Sequence, residues 1–335
     1  MGKASAHTEG NDTAPIGADS GGDSGAVAPL PWEAILWDEV QIEMVSVPAG
    51  SYVKGSPEGE VGRIAASEAQ YNVTLTHAIE VSTKEIDART FMASGFQGDW
   101  ATTYVCDLCD GECGTCPMSV WDSFDAKWFA NQLSLRAGLE ECYDCAEDVG
   151  SASGGNFSCT LKGNPYECAG YRVPTDAEWE YVARAGDTAA FPWGAEILAG
   201  TEEDCEDETL RLSDETILGD YAVYCGNSVT DSYEFLSKTA PTGSKPPNAW
   251  GIYDTSGNAA EWVEDRWHED PSAEGSVSDP YYKWDGEWLD YVTVRGYNQH
   301  GKPYLMRSAV RIPASVLQTQ YYDAPGFRIV RTLDP

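Results

Sequence analysis

The chain has 335 residues, 42% of them hydrophobic, with 55 acidic against 21 basic side chains and a formal net charge of -34. So acidic a surface repels phosphate backbones and anionic lipid, which excludes nucleic acid and membrane surfaces as partners. No apolar run approaches the roughly 20 residues of a spanning helix, so no membrane insertion is expected.

The 10 cysteines all lie between Cys106 and Cys225. That usage suits an oxidising compartment, so an extracytoplasmic location is expected: secreted, periplasmic or cell-surface. Met1–Asp12 lacks the apolar stretch of a signal peptide, so a leader or anchor removed upstream is part of this expectation.

Residues 1–31 are Gly, Ser, Asp and Pro-rich with almost no large apolar side chain. They read as a disordered acidic tether, because such a segment cannot bury enough surface to offset its ordering entropy. Residues 32–335 read as one domain. Val40–Val53 alternates apolar and polar residues around Pro48-Ala49-Gly50, which predicts a hairpin, and Val73–Val81 predicts a single strand. Trp121, Phe124, Trp128, Phe129 and Leu133 recur at helical spacing, with Gly138 as the stop. In Tyr171–Gly186 a short strand ends at Pro174, and Thr175 with Glu178 forms a capping box. The helix that follows turns Trp179, Val182 and Ala183 to the core, and Gly186 ends it in a left-handed conformation. Further strands are predicted at Tyr291–Arg295 and Phe327–Arg331. Many turns and few long elements predict a loop-rich, irregular α+β fold held by disulfides.

Cys106, Cys109, Cys113 and Cys116 form CxxC-x3-CxxC. Disulfides are the favoured reading, with a zinc or iron–sulfur site as the alternative. Cys142, Cys145, Cys159 and Cys168 form a second cluster, and Cys205 with Cys225 is a further candidate bridge. Spacing does not decide the pairing. The acidic run at Glu202–Asp204 and Asp207–Glu208 reads as a solvated loop and lacks the EF-hand pattern.

Five blocks occur in order: VSVPAGSYVKGS, YRVPTDAEWEYVARAG, PPNAWGIYDTSGNAAEWVEDRW, VRGY and APGFRIVR. Together, over roughly residues 40 to 333, they resemble the formylglycine-generating enzyme (sulfatase-modifying factor) family. The resemblance implies a compact, irregular fold related to C-type lectins. It also implies oxidation of a client cysteine at a copper ion held by two thiolates shortly after the block matched here by Arg295–His300. Copper(I) is soft and requires such ligands. The following stretch, GKPYLMRSAVRIP, contains no cysteine, and by loop length the paired positions fall near Gly301 and Pro303. No catalytic residue is therefore assigned, and copper is not expected. Relatives that hold iron use three histidines in an additional domain. This chain has only His7, His77, His268 and His300.

Calcium is the cofactor that the resemblance implies, at one or two sites. The first matches Asp254, Gly257, Ala259 and Glu261, a mix of carboxylates and turn carbonyls that suits a hard cation. The second would use Asn227, Ser228 and a downstream carboxylate, Glu234. In place of catalytic groups the loop presents Tyr297, Asn298, Gln299, His300 and Tyr304, adaptable contact residues for an unidentified protein or carbohydrate ligand. A non-catalytic binding or surface-display module is the expected function. An oxidoreductase of the same family, acting on a sulfatase cysteine or in maturation of secreted metabolites, is the alternative.

Overall fold

The computed structural model describes residues 41–96, 114–120, 122–147, 157–206, 208–228, 238–269, 275–283, 291–315 and 325–335. The predicted tether, Trp121, Cys106, Cys109, Cys113 and Glu234 lie outside them. The fold is α+β and loop-rich, with several small sheets and short helices, as expected.

The segment around Pro48 is not a hairpin. Strands β1 (Met44–Val47) and β2 (Gly50–Lys54) do not pair with each other. Both pair antiparallel with the segment predicted as one strand, which is broken into β3 (Tyr71–Leu75) and β4 (Ala78–Ser82). The result is one long ribbon bent between Val47 opposite Ile79 and Gly50 opposite Leu75. Tyr181 causes the bend: its hydroxyl donates to the Pro48 carbonyl at 3.2 Å, and a side chain at Gly50 would clash with that hydroxyl. On the other arm, Asp279 accepts from the Thr76 amide at 2.8 Å and interrupts the strand. Each half of the ribbon then joins a different sheet.

Helix α1 spans Ala88–Ala93, capped by Asp87. Helix α2 (Ser123–Arg136) starts at Asp122, whose carboxylate accepts from the Phe124 and Asp125 amides, and ends before Gly138 at φ +69°. Its Phe124, Ala126, Phe129 and Ala130 enter the main core with Phe91 and Phe327. Burying each phenylalanine contributes roughly 1.5–3 kcal/mol. Hairpin β5 (Tyr143–Glu147) and β6 (Phe157–Leu161) packs on α2 and carries the Cys145–Cys159 bridge across it. Cys142–Cys168 ties its base to the strand that follows, β7 (Tyr171–Arg172).

Helix α3 (Asp176–Arg184) has the predicted capping box, but Ala185 rather than Gly186 is its first left-handed residue. Two four-residue helices follow, α4 (Leu218–Tyr221) and α5 (Cys225–Ser228). Strands β8 (Glu261–Arg266), β9 (Val277–Ser278), β10 (Tyr291–Arg295), β11 (Ile312–Ser315) and β12 (Val330–Leu333) complete the fold. One sheet runs β1-β4-β12-β7, another β11-β10-β8, and β9 joins β2-β3 in parallel with β3. The last strand starts three residues later than predicted, because Phe327 and Ile329 are buried in the core before the ladder begins. Among the described residues no helix is long and apolar enough to cross a membrane.

Candidate functional site

Helix α3 is buried along its whole length, charged residues included. Asp176 pairs with Arg295 at 2.9 Å and Arg311 at 2.8 Å. Glu180 pairs with Arg295 at 2.8 Å, Lys54 at 3.0 Å and Arg184 at 2.9 Å. Burial alone would raise the Asp176 carboxyl, but Arg311, Lys54 and Arg295 outweigh it and hold it well below the usual range. Arg295 also stacks on Trp179, 5.0 Å from the ring, and donates to the Ser308 carbonyl at 2.6 Å. The last residue of β10 is thereby clamped, and the loop that leaves it starts from a rigid point.

That loop, residues 296–304, is the candidate site. Gly296 turns at φ +77° against the Trp179 ring, and Tyr297 follows at φ +56°. Asn298 accepts from the His300 amide at 3.1 Å, making an Asx turn. Tyr297, Asn298, His300 and Tyr304 are half-buried and reach the surface. Gln299 does not: it is 3% exposed, its amide donates to the Asn258 carbonyl and its carbonyl accepts from the Ser228 hydroxyl at 2.6 Å. The loop reverses there, which turns that side chain inward and removes it from the displayed set. At Gly301 a Cβ would clash with Met306 Cε and Tyr297 Cδ1 and lie 3.0 Å from the Asn298 carbonyl. No side chain projects from this point, and Met306 and Tyr297 fill the space.

The acidic turn before β8 is assembled differently from its reading in sequence. Glu261 is fully buried and spent on protein partners: Arg328 donates to it twice, at 2.5 and 2.6 Å, and Trp179 Nε1 donates at 2.8 Å. Both of its oxygens therefore already accept from protein donors. Asp254 sits at φ +60°, accepts from the Gly243 amide at 2.6 Å, and has its carboxyl pushed up to about 6, mainly by burial. Glu85, from the loop after β4, adds a carboxylate that spacing did not suggest. It accepts from the Asn258 side chain at 2.7 Å and the Ala259 amide at 2.9 Å. Burial first, then the charges of Asp254 and Glu261, raise it well above its usual range. Ser256 Oγ in the same turn is buried without a partner. Two buried carboxylates, a hydroxyl without a partner and turn carbonyls are the oxygen ligands that calcium accepts, with Glu85 in the part expected of Glu261.

Of the second expected calcium set, Asn227 and Ser228 are described, and Glu234 lies outside the described residues. Asn227 Oδ1 accepts from the Tyr224 amide at 2.9 Å, and its Nδ2 donates to the Ala222 and Gly219 carbonyls. The Ser228 carbonyl accepts from the Lys238 amide. These oxygens already serve the chain. Among the described residues no three His, Cys, Asp or Glu side chains group to hold a metal. His268 stacks on Tyr282, 4.8 Å between ring centroids.

Cys205 and Cys225 form a disulfide, and the Cys225 amide donates to the Gly301 carbonyl at 3.0 Å. The bridge therefore lies against the site loop, an arrangement no local pattern announced. Cys116 is also disulfide-bonded, and no described cysteine is free. Three bridges with both ends described accord with an oxidising, extracytoplasmic environment.

The chain resembles several known proteins. It is 36% identical over 103 residues to the formylglycine-generating enzyme of Thermomonospora curvata, an alignment covering 30% of this chain and 29% of that enzyme. Against the Chaperone protein LppX of Paenibacillus barcinonensis it is 24% identical over 259 residues, 72% of this chain and 81% of that one. Among solved structures, PvdO from Pseudomonas aeruginosa superposes with a TM-score of 0.60 at 26% identity, covering 87% of this chain and 95% of that one. Treponema denticola variable protein 1 superposes at 0.65 and 23% identity, covering 88% and 96%, and shares the fold. The model of the sulfatase-modifying factor enzyme 1-like domain matches residues 38–333, nearly the whole chain beyond the predicted tether, and the protein belongs to that family.

Proposed function

We propose that this chain is a non-catalytic binding module of the family, acting outside the cytoplasm, whose recognition surface is the loop 296–304 with Tyr297, Asn298, His300 and Tyr304 at its face. The observation that carries this reading is the packing at Gly301. The stretch from Arg295 to Pro313 holds no cysteine, and Met306 and Tyr297 occupy the space a metal-binding side chain would need. What remains is a rigid loop with aromatic and amide groups, suited to contact with a protein or carbohydrate surface. Incubation of the oxidised protein with copper and a CxPxR peptide is expected to yield no aldehyde by mass spectrometry. Aldehyde formation would overturn the reading. Screening against immobilised glycans and secreted proteins is expected to give a ligand whose binding falls on His300→Ala and Tyr304→Ala.

A second reading, an oxidoreductase of the same family, is favoured by the Cys205–Cys225 bridge against the loop. Opened by a reductant, it would offer two thiolates, the ligand type copper(I) selects. Aldehyde from reduced, copper-loaded protein, absent from the Cys205→Ser/Cys225→Ser variant, would establish this reading in place of the first.

One calcium ion belongs to the same proposal, held by Asp254, Glu85 and carbonyls of the turn 254–259, where it stiffens the base of the loop through Asn258 and Gln299. Excess chelator is expected to lower the melting temperature of the wild type and not of Glu85→Gln/Asp254→Asn. An unchanged wild-type melting temperature would exclude the ion.

A further inference from the structure

Strand β2 is the edge of its sheet. It stands at one end of β2-β3-β9 and pairs with β3 over all five residues with no break in register. On its other side, Ser51, Tyr52 and Val53 make no backbone hydrogen bond among the described residues. A row of unused N–H and C=O groups is a template for another strand, and proteins guard such an edge with exposed charge, proline, a bulge or a cover. β2 carries none of these on its exposed positions, Ser51 and Val53. Its one charge, Lys54, ends the strand and is turned inward to Asp176 and Glu180 at 3.1 and 3.0 Å.

The face beside this edge departs from the rest of the chain. Side chains alternate along each strand, so Tyr71, Val73 and Leu75 enter the core while Ser51, Val53, Asn72, Thr74 and Ser278 reach the surface. None of these five is charged, in a chain where 23% of residues are. The Ser51 and Thr74 hydroxyls bond each other at 2.7 Å. The nearby Asp279 carboxylate is spent on the amide and hydroxyl of Thr76, at 2.8 and 2.5 Å. Val53, opposite Asn72, is 41% exposed.

We propose that β2 is a self-association edge, pairing antiparallel with β2 of a second copy across a two-fold axis. Charge decides the occupant. At a net charge of -34 the molecule repels every acidic partner, itself included, over its charged surface. A basic partner is drawn to that charged surface and gains no attraction from an uncharged edge. A second copy meets little repulsion here and brings the same unused donors and acceptors, which a two-fold axis sets in register. With the axis at Tyr52, the middle of the strand, Val53 of one copy lies opposite Ser51 of the other, and two three-stranded sheets become one of six strands. Strand addition supplies the hydrogen bonds, and the exposed Val53 side chains are covered. A contact of five residues a side falls below the roughly 1,200 Å² of a stable interface, so the dimer is weak, with a Kd on the order of 10–100 µM.

The test is sedimentation equilibrium of the full chain from about 1 µM to 1 mM, at low salt and at about 0.5 M sodium chloride. A monomer–dimer equilibrium is expected, and salt should tighten it, because screening removes the mutual repulsion and leaves backbone pairing intact. Amide hydrogen exchange at residues 51–53 should slow as protein concentration rises. Val53→Asp and Ser51→Asp each set a carboxylate on both sides of the axis and are expected to raise the Kd about ten-fold or more. Both positions are exposed, so the monomer fold should persist, which thermal unfolding of dilute samples checks. Leu135→Asp, at an exposed position of α2, is expected to leave the equilibrium unchanged. A chain that stays monomeric to about 1 mM, a dimer indifferent to both edge variants, or one that salt dissociates would overturn the proposal. So would exchange at 51–53 that slows only when another secreted protein is added, which would assign the edge to an extended peptide. The inference goes beyond the binding reading of the loop and stands whether or not that reading holds. The aldehyde and ligand assays read the loop and sedimentation reads the edge, so failure of one is distinguishable from failure of the other.

Discussion

Arg328 and Glu261 set the character of this protein at the scale of single residues. Both are fully buried, and neither charge survives there without the other. Arg328→Ala is expected to cost about 3–5 kcal/mol, measured by urea unfolding, because Glu261 is left buried and unpaired. Arg328→Met with Glu261→Met is expected to recover part of that loss, since apolar side chains of similar size carry no desolvation penalty. The sequence supplied both partners of this pair without the link between them. The EW and GFR blocks lie 67 residues apart, and no spacing rule joins them. The same distance hid Glu85, which reaches the 254–259 turn from 174 residues upstream of Ala259.

Among the elements, helix α3 was the most legible because its start depends on neighbouring residues. Thr175 and Glu178 satisfy each other's amides within one turn, so the cap is a local event. Thr175→Ala is expected to lower stability by about 1–2 kcal/mol in thermal unfolding, with the fold retained. The Thr175 hydroxyl also meets the Tyr166 hydroxyl at 2.9 Å, which places the loss at the upper end. The ribbon of β1 to β4 was legible as strands and not as a pairing. Alternation shows which residues face inward, but Pro48-Ala49-Gly50 bends or reverses a chain according to what stands beside it. Tyr181, more than 130 residues later, decided for a bend.

For the whole molecule, the buried charges make stability a function of pH. Burial and the negative charge of Asp176 push the Asp265 carboxyl up to about 7, against two backbone amides that stabilise its ionised form. An unfolded aspartate titrates near about 3.9, so the folded state binds the extra proton between roughly pH 4 and 7. Stability from this group is full below that window and declines as pH rises through it. Asp176 and Glu180 act oppositely: their folded carboxyls are depressed, and their contribution is lost as pH falls below about 4. The melting temperature is therefore expected to peak in mildly acidic solution. Asp265→Asn should start less stable, losing one amide acceptor, and should show a shallower decline between about pH 4 and 7, with the raised carboxyls of Asp254 and Glu85 keeping their share. A wild-type profile flat across that range would contradict the assignment.

Composition, cysteine usage and the five ordered blocks determined the family, the irregular α+β fold, the capped helix and the loop 296–304 as the place to look. These follow from local chemistry: caps, alternation and motif residues act within a few positions of one another. The tertiary structure alone decided that Gln299 points inward, that Glu261 belongs to Arg328, that Glu85 joins the acidic turn and that Cys205–Cys225 lies against the loop. Each of those depends on which distant segment occupies the neighbouring space, and hydrogen bonds and ion pairs in a packed interior are made to neighbours in space, whatever their separation along the chain.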